Sequence, residues 1–236
     1  VLVPPTVPNS TLVLADLHCP YQNNEFIDRV VKLAKSWGIN NVVILGDLLD
    51  LEQYSSYIYD ESKIIEQGLA AAEHITDVTL ADFPSILWLM GNHEERLYKR
   101  LGKDQISQDR LKRLVTTSDR VSFSRMYYAM TEDGSWMICH PGNYSRPNPG
   151  GLIAQYCAKY QCNVIAGHMH LIAKTQDISG KYVGMVIGTC AGELEYDIIQ
   201  PTNNPIMCNG AVILRDSYAW QLDQWSDWET LAKLGE

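Results

Sequence analysis

Five short apolar runs in this chain each stop, within one or two residues, on an aspartate, an asparagine or a histidine. Thr11-Leu-Val-Leu-Ala15 leads into Asp16-Leu17-His18, and Asn41-Val-Val-Ile-Leu45 into Gly46-Asp47. Ser85-Ile-Leu-Trp-Leu-Met90 leads into Gly91-Asn92-His93-Glu94, Ser135 to Cys139 into His140, and Asn163-Val-Ile-Ala166 into Gly167-His168-Met169-His170. Runs of this length and apolarity, bounded by turn residues, read as buried strands. Open α/β sheets place ligand sites at the carboxyl ends of their strands, where the loops converge. Five strand ends carrying such side chains are what a single site would need. Five of the six histidines lie in these motifs. At this composition an accidental Gly-His-x-His is expected only roughly 0.01 times per chain, whereas a lone Asp-x-His is weak; the ordered set carries the signal.

Imidazole, carboxylate and carboxamide groups are ligands for hard-to-borderline divalent metals. Seven of them exceed the needs of one ion and suit two ions sharing a bridging carboxylate, an arrangement able to promote attack on phosphorus. Composition is compatible with this. The 236 residues are 46% hydrophobic, enough for one domain with a substantial core. Nineteen Lys and Arg against 28 Asp and Glu leave a formal charge of −9, which argues against sequence-independent wrapping of duplex nucleic acid. A nuclease stays open, because bound cations would add positive charge where a phosphate sits. Cysteines 19, 139, 157, 162, 190 and 208 form no dense framework and no Cys-x-x-Cys, so buried reduced thiols are expected. Strand alternation should point Cys19 and Cys139 away from their histidine neighbours. No run is long and apolar enough to span a bilayer; the expected location is cytoplasmic. The chain begins with Val1, so an upstream segment stays open.

Residues 1–10, rich in proline, read as an extended arm, and 11–236 as one domain. Phe26, Val30, Leu33, Ala34 and Trp37 recur at helical spacing before Gly38, so residues 11–45 form a strand–helix–strand unit with parallel strands. A long helix is expected over 62–82, helices between Glu94 and Val115, a hairpin about Glu132-Asp133-Gly134, and a helix over 151–160. Three further β-rich runs are expected near 172–177, 181–188 and 210–225. The result is an α/β first half and a strand-rich second half packed as one sandwich.

Asp-x-His, Gly-Asp-x-x-Asp, Gly-Asn-His-Glu, a strand-end His and Gly-His-x-His, in that order, resemble the calcineurin-like metallophosphoesterase superfamily over about residues 11–190. The resemblance implies a four-layer α/β/β/α sandwich of two mixed sheets flanked by helices. It implies that Asp16, His18 and His170 hold one divalent ion, that Asn92, His140 and His168 hold the other, and that Asp47 bridges them. A hydroxide shared by the ions would attack phosphorus in line. His93 would protonate the leaving group and Asp50 would orient His93. The ions could be Mn, Fe, Zn, Ni or Co.

Departures from the family pattern narrow the substrate. Phosphoprotein phosphatases of the superfamily continue Gly-Asp-x-x-Asp with Arg-Gly, and that Arg grips a monoester. Here Leu51-Glu52 follows, which favours a phosphodiester or nucleotide-type substrate, a small molecule or a nucleic acid, over phosphoprotein. Pro141-Gly142 stands where many relatives have Gly after the lone His. Gly91 to Arg96 resembles small phage and bacterial members. Arg96 and Arg146 are candidate phosphate contacts, with a helix ion pair and plain solvation as their ordinary readings. Tyr54, with Tyr57 and Tyr59, could stack a base or simply pack a lid. His74 reads as a surface histidine, Glu94 as a helix-start acid, and Trp220, Trp225 and Trp228 as packing on a sheet face or between copies. The alternatives to the diesterase are a phosphomonoesterase and a non-catalytic interaction module on the same fold.

Overall fold

The computed structural model describes residues 3–51, 65–101, 107–142, 148–192 and 207–235. One sheet is built on the strand–helix–strand unit: β2 (Thr11–Leu14), α1 (Asn24–Ser36) and β3 (Asn41–Leu45), continued by β4 (Ser85–Leu89). These strands are parallel, and β5 (Val121–Ser124) extends them on one side. On the other side β11 (Gly210–Arg215) and β12 (Tyr218–Asp223) add antiparallel, in the order β12-β11-β2-β3-β4-β5. The second sheet contains β1 (Thr6–Val7), β6 (Tyr128–Thr131), β7 (Trp136–Cys139), β8 (Asn163–Ala166), β9 (Ile172–Gln176) and β10 (Val183–Ile187), in the order β1-β6-β7-β8-β10-β9.

Period-two alternation sorts each strand between two cores. Val13, Val43, Leu45 and Leu89 of the first sheet meet Trp136, Ile138, Ile165, Met185 and Ile187 of the second in one buried cluster. The intervening Leu12, Leu14, Val42, Ile44, Ile86 and Trp88 face helices on the outer side. On the far side of the second sheet, Met137, Cys139, Val164 and Val186 pack with Ile153 and Cys157 of α5 (Pro149–Tyr160). The architecture is therefore helices, sheet, sheet, helix, as the resemblance implied. Helix starts follow from local chemistry: the Asn23 side chain accepts from the Phe26 N–H, and Asn148 from Gly151 ahead of a first-turn Pro149.

Several elements differ from expectation. Helix α2 (Ile65–His74) passes into a π-helical turn over Ile75–Thr79. The Arg120 guanidinium ends it by donating to the carbonyls of Thr76, Leu80 and Phe83 at 2.9–3.1 Å. The segment 94–115 holds α3 (Asn92–Leu101) and α4 (Gln108–Val115). The run 210–225 is two strands, because Asp216 and Ser217 both take left-handed φ and turn a two-residue hairpin. Thr6–Val7, within the proline-rich opening, pairs in parallel with β6. Strand β5 and α6 (Trp228–Lys233) were not anticipated.

Trp220 packs edge-on against Trp37 and Trp228 against Phe26, while Trp225 is 69% exposed. All six cysteines are free, five of them buried. No helix among the described residues is long and apolar enough to cross a membrane.

Candidate metal centre

The five strand ends converge. Asp16 and His18 follow β2, Asp47 follows β3, Asn92 opens α3 after β4, His140 follows β7, and His168 and His170 follow β8. Asp16, His18, Asp47, His168 and His170 all adopt left-handed φ between 48° and 73°. Such φ values are uncommon for non-glycine residues and cluster at functional sites. The loops support one another. His18 N–H donates to the Asp47 carbonyl at 2.9 Å, His93 N–H to Asp47 Oδ1 at 2.9 Å, and His168 N–H to Asp16 Oδ2 at 2.8 Å. Glycine is required where loops touch. A Cβ on Gly91 would collide with the Asp47 carboxylate and backbone nitrogen, and one on Gly46 would lie 2.6 Å from His140 Nδ1.

Among the described residues three sets of ligand-type atoms result, Asp16–His18–His170, Asp47–His140–His168 and, sharing His18, His18–Asp50–His93. In the first, His170 Nε2 lies 3.3 Å from Asp16 Oδ1 and 3.1 Å from His18 Nε2. In the second, His140 Nε2 lies 3.5 Å from Asp47 Oδ2 and 2.9 Å from Asn92 Oδ1. Asp47 Oδ2 also sits 4.0 Å from His18 Nε2 and 3.9 Å from His93 Nε2, at the middle of the group. The other ring nitrogens are committed elsewhere: His18 Nδ1 to Asp50 Oδ1 at 3.0 Å and His140 Nδ1 to the Leu45 carbonyl at 3.1 Å. Those bonds hold a proton on Nδ1 and turn Nε2 inward, the usual support of a metal-binding histidine.

Burial and neighbouring charge set the protonation states. Burial alone would raise the Asp16 and Asp47 carboxyls, yet His170 and His140 beside Asp16, and His140, His93 and His18 around Asp47, hold both below their ordinary value. Burial opposes a charge on His18, but the Asp50 hydrogen bond and Asp47 outweigh it and push the ring up to about 9. His140 is likewise raised against burial by Asp47 and Asp16. Burial, aided by His140, takes His168 down to about 4, and burial takes His93 to about 4 as well.

These residues fit divalent cations. Asp16 Oδ1 is fully buried and has no hydrogen-bond partner, a costly state for a carboxylate oxygen unless a cation meets it. Two Nε2 atoms face each other at 3.1 Å, and only a shared proton or a cation makes that contact favourable. Separations of 3–4 Å match donor atoms sharing an ion at about 2.0–2.2 Å.

Asp16, His18, Asp47, Asn92, His93, His140, His168 and His170 are thus brought together. Asp50 joins them. Its carboxylate bonds His18, while its backbone carbonyl takes the His93 Nδ1 proton; Asp50 Oδ1 is 3.7 Å from that nitrogen. Arg96 Nη1 lies 3.2 Å from His93 Nδ1, on the first turns of α3. Tyr54 and Arg146, with Tyr57 and Tyr59, lie outside the described residues. Glu94 was read only as a helix-start acid. It is fully buried and accepts from the backbone N–H groups of Asp47, Leu49 and Gly91 at 2.9–3.1 Å. The signal available in the sequence was its place next to the Gly-Asn-His turn.

Fold and side chains together define a two-sheet α/β protein with clustered His and Asp ligand sites, consistent with a dinuclear metal centre. The chain belongs to the calcineurin-like phosphoesterase family, whose sequence profile matches residues 10–171. No curated protein matches it in sequence. Among solved structures it is similar to Yfce, a phosphoesterase from E. coli (15% identity, TM-score 0.45, covering 90% of this chain and 98% of that one). Vacuolar Protein Sorting 29 from Cryptosporidium parvum is similar to the same degree (14%, 0.46, 91% and 96%), as is the Pseudomonas putida nuclease MPE (15%, 0.40, 90% and 87%).

Proposed function

We propose that this chain is a dinuclear metal-dependent phosphoester hydrolase, allied to small phage and bacterial members of its family, acting on a phosphodiester or nucleotide-type substrate. Asp16, His18 and His170 would hold one ion, Asn92, His140 and His168 the other, and Asp47 both; Mn, Fe, Zn, Ni and Co all suit this mixed N/O donor set. Two such ions supply charge neutralisation for a phosphate and a water of lowered pKa. The observation that carries the reading is the buried Asp16 Oδ1, which makes no hydrogen bond and lies 3.3 Å from His170 Nε2 among inward-facing imidazole nitrogens.

His93 is the proton donor in this reading. Its Nδ1 proton goes to the Asp50 carbonyl, so Nε2 faces Asp47 and the centre. Burial keeps the ring neutral at rest; it takes a second proton at Nε2 only when the negative charge of a bound phosphoester offsets that burial. Donation of the proton to the departing oxygen then leaves His93 neutral again, the state its surroundings favour. The preference for a diester is supported at position 51, where a monoester-gripping Arg would stand. Leu51 is buried and carries no charge.

The test is calorimetry with Mn²⁺ alongside hydrolysis of bis(p-nitrophenyl) phosphate and p-nitrophenyl phosphate. Two bound Mn²⁺ per chain and faster cleavage of the diester are expected. A faster monoester would move the assignment to phosphomonoesterase, and no metal binding at any pH would leave an interaction module.

A further inference from the structure

The Glu94 carboxylate is a fourth buried acid at the centre, beside Asp16, Asp47 and Asp50, and no ligand set uses it. It lies on the first turn of α3 and reaches back across two loops. Oε2 accepts from the N–H groups of Asp47 (3.0 Å) and Gly91 (2.9 Å), and Oε1 accepts from Leu49 (3.1 Å). Asp47 and Leu49 belong to the loop after β3, which also carries Asp50; Gly91 belongs to the turn that delivers Asn92 and His93. One side chain therefore joins the segment bearing the central aspartate to the segment bearing a candidate ligand and the candidate proton donor. The two segments also touch directly: Gly91 abuts the Asp47 carboxylate and backbone nitrogen, His93 N–H donates to Asp47 Oδ1, and His93 Nδ1 bonds the Asp50 carbonyl.

From this geometry we infer that Glu94 is a positioning residue for the metal centre: by clamping the Asp47–Leu49 loop to the Gly91 turn it sets the distance between Asp47, Asn92 and His93. The inference rests on the dinuclear reading above and adds a residue to it. Three donors converge on two oxygens, so both oxygens must accept. A glutamine cannot meet that demand. With its oxygen toward Asp47 and Gly91, its NH₂ faces the Leu49 N–H, donor against donor; flipped, it opposes two N–H groups. Aspartate keeps both acceptors and is short by one methylene. Chemistry at the three N–H groups thus ranks the side chains Glu, Asp, Gln, whereas length and volume rank them Glu, Gln, Asp. A residue that merely fills space or supports α3 would follow the second order.

The experiment compares the full chain with Glu94→Asp and Glu94→Gln, using Mn²⁺ calorimetry, bis(p-nitrophenyl) phosphate kinetics and thermal unfolding of the chelated proteins. Glu94→Gln is expected to bind Mn²⁺ at least tenfold more weakly. When saturated with Mn²⁺ it should show a kcat at least tenfold lower with KM within about threefold, the pattern of a displaced catalytic geometry. Glu94→Asp should recover part of both losses. If Glu94→Gln does not fold, Glu94→Asp alone decides: a threefold or greater loss of Mn²⁺ affinity supports the clamp, and parent-like affinity overturns it. A folded Glu94→Gln that matches the parent, or that outperforms Glu94→Asp, also overturns it. Failure of the parent itself to bind two Mn²⁺ would instead remove the dinuclear reading and this inference with it.

Discussion

The two halves of the centre hold their imidazoles in different ways. Around His18 and His170 the support is anionic: Asp16 lies 3.3 Å from His170, and Asp50 stands 3.0 Å behind His18. Around His140 the hydrogen bonds are to neutral groups, a carboxamide, Asn92, on one ring nitrogen and the Leu45 carbonyl on the other, with the carboxylates of Asp47 and Asp16 at 3.5 and 3.9 Å. Both halves share Asp47, whose Oδ2 is 3.5 Å from His140 and 4.0 Å from His18. A charged half attracts a cation through the Coulomb term, which is large in a buried setting. The half with one carboxylate, Asp47, depends more on ligand atoms already held in place. On the proposed assignment, the first half retains its ion the longer, and the second exchanges more readily.

The most damaging change should be the one that removes the shared member. Asp47→Ala takes a ligand from both halves and is expected to abolish the distinction between them. Bound Mn²⁺ should fall from two per chain to one or none, and diester cleavage to the uncatalysed background, read by calorimetry and the chromogenic assay. Two retained Mn²⁺ would show that the halves are independent sites. His93→Ala belongs to neither half. It should keep both Mn²⁺ and lower turnover by roughly 10²–10⁴-fold, the range for a lost general acid. Unchanged turnover removes the proton-donor role.

Asp50→Ala separates the halves. Its carboxylate supports His18, whereas its contact with His93 runs through the backbone carbonyl and survives the substitution. Loss of such outer support costs about 10–100-fold in metal affinity. One Mn²⁺ site should weaken by that factor while the other stays near parent affinity, and kcat at saturating Mn²⁺ should exceed that of His93→Ala. If kcat falls as far as in His93→Ala with both affinities intact, Asp50 acts on His93 as the family resemblance implied.

The bond from Asp50 to His18 marks where sequence reading stops. The strands and their ligand-bearing ends were legible because two independent patterns coincide there: a short apolar run and a metal-type residue just beyond it. The layer order was legible by resemblance. What spacing does not encode is the path of a loop after its ligand. Asp47 and Leu51 take left-handed φ, and that turn aims the Asp50 carboxylate at His18 and its carbonyl at His93. Glu94 escaped for the same reason, since its three partners are backbone N–H groups, which have no letter of their own. Strands β1 and β5, two and four residues long, are too short to show a period, and they form because β6 and β4 offer open edges. The end of the π-helical turn after α2 depends on Arg120, some forty residues on, reaching three carbonyls.

The smallest expected effect concerns the charged half without its cation. In the metal-free protein the Asp50 bond and Asp47 push His18 from 6.5 to about 9 despite burial. A histidine held above its unfolded value stabilises the fold fully below about pH 6.5, and that contribution is lost as pH rises through about 9. His93 and His168, held near 4, act oppositely, since the unfolded chain binds more protons there; stability from them rises between about pH 4 and 6.5. Glu94, raised by burial from 4.5 to about 7, works against those two over its own window. Above pH 7, then, His18 is left, with His140 raised in the same direction and with the thiols of Cys19, Cys139, Cys157, Cys162 and Cys190, which burial raises so that the unfolded chain ionises first. The Tm of the EDTA-treated protein should fall between pH 7 and 9 by at least roughly 2–4 °C, the shift that about 1 kcal/mol produces in a domain of this size. With Mn²⁺ bound, His18 Nε2 is committed to the ion and carries no proton to lose, so the fall should shrink to the part that the buried thiols contribute. His18→Gln should lessen the fall of the metal-free curve alone. A metal-free Tm that stays level from pH 7 to 9 would mean that His18 is neutral before any ion arrives, and the charged half would then owe its anionic character to Asp16 and Asp50 with no imidazolium between them.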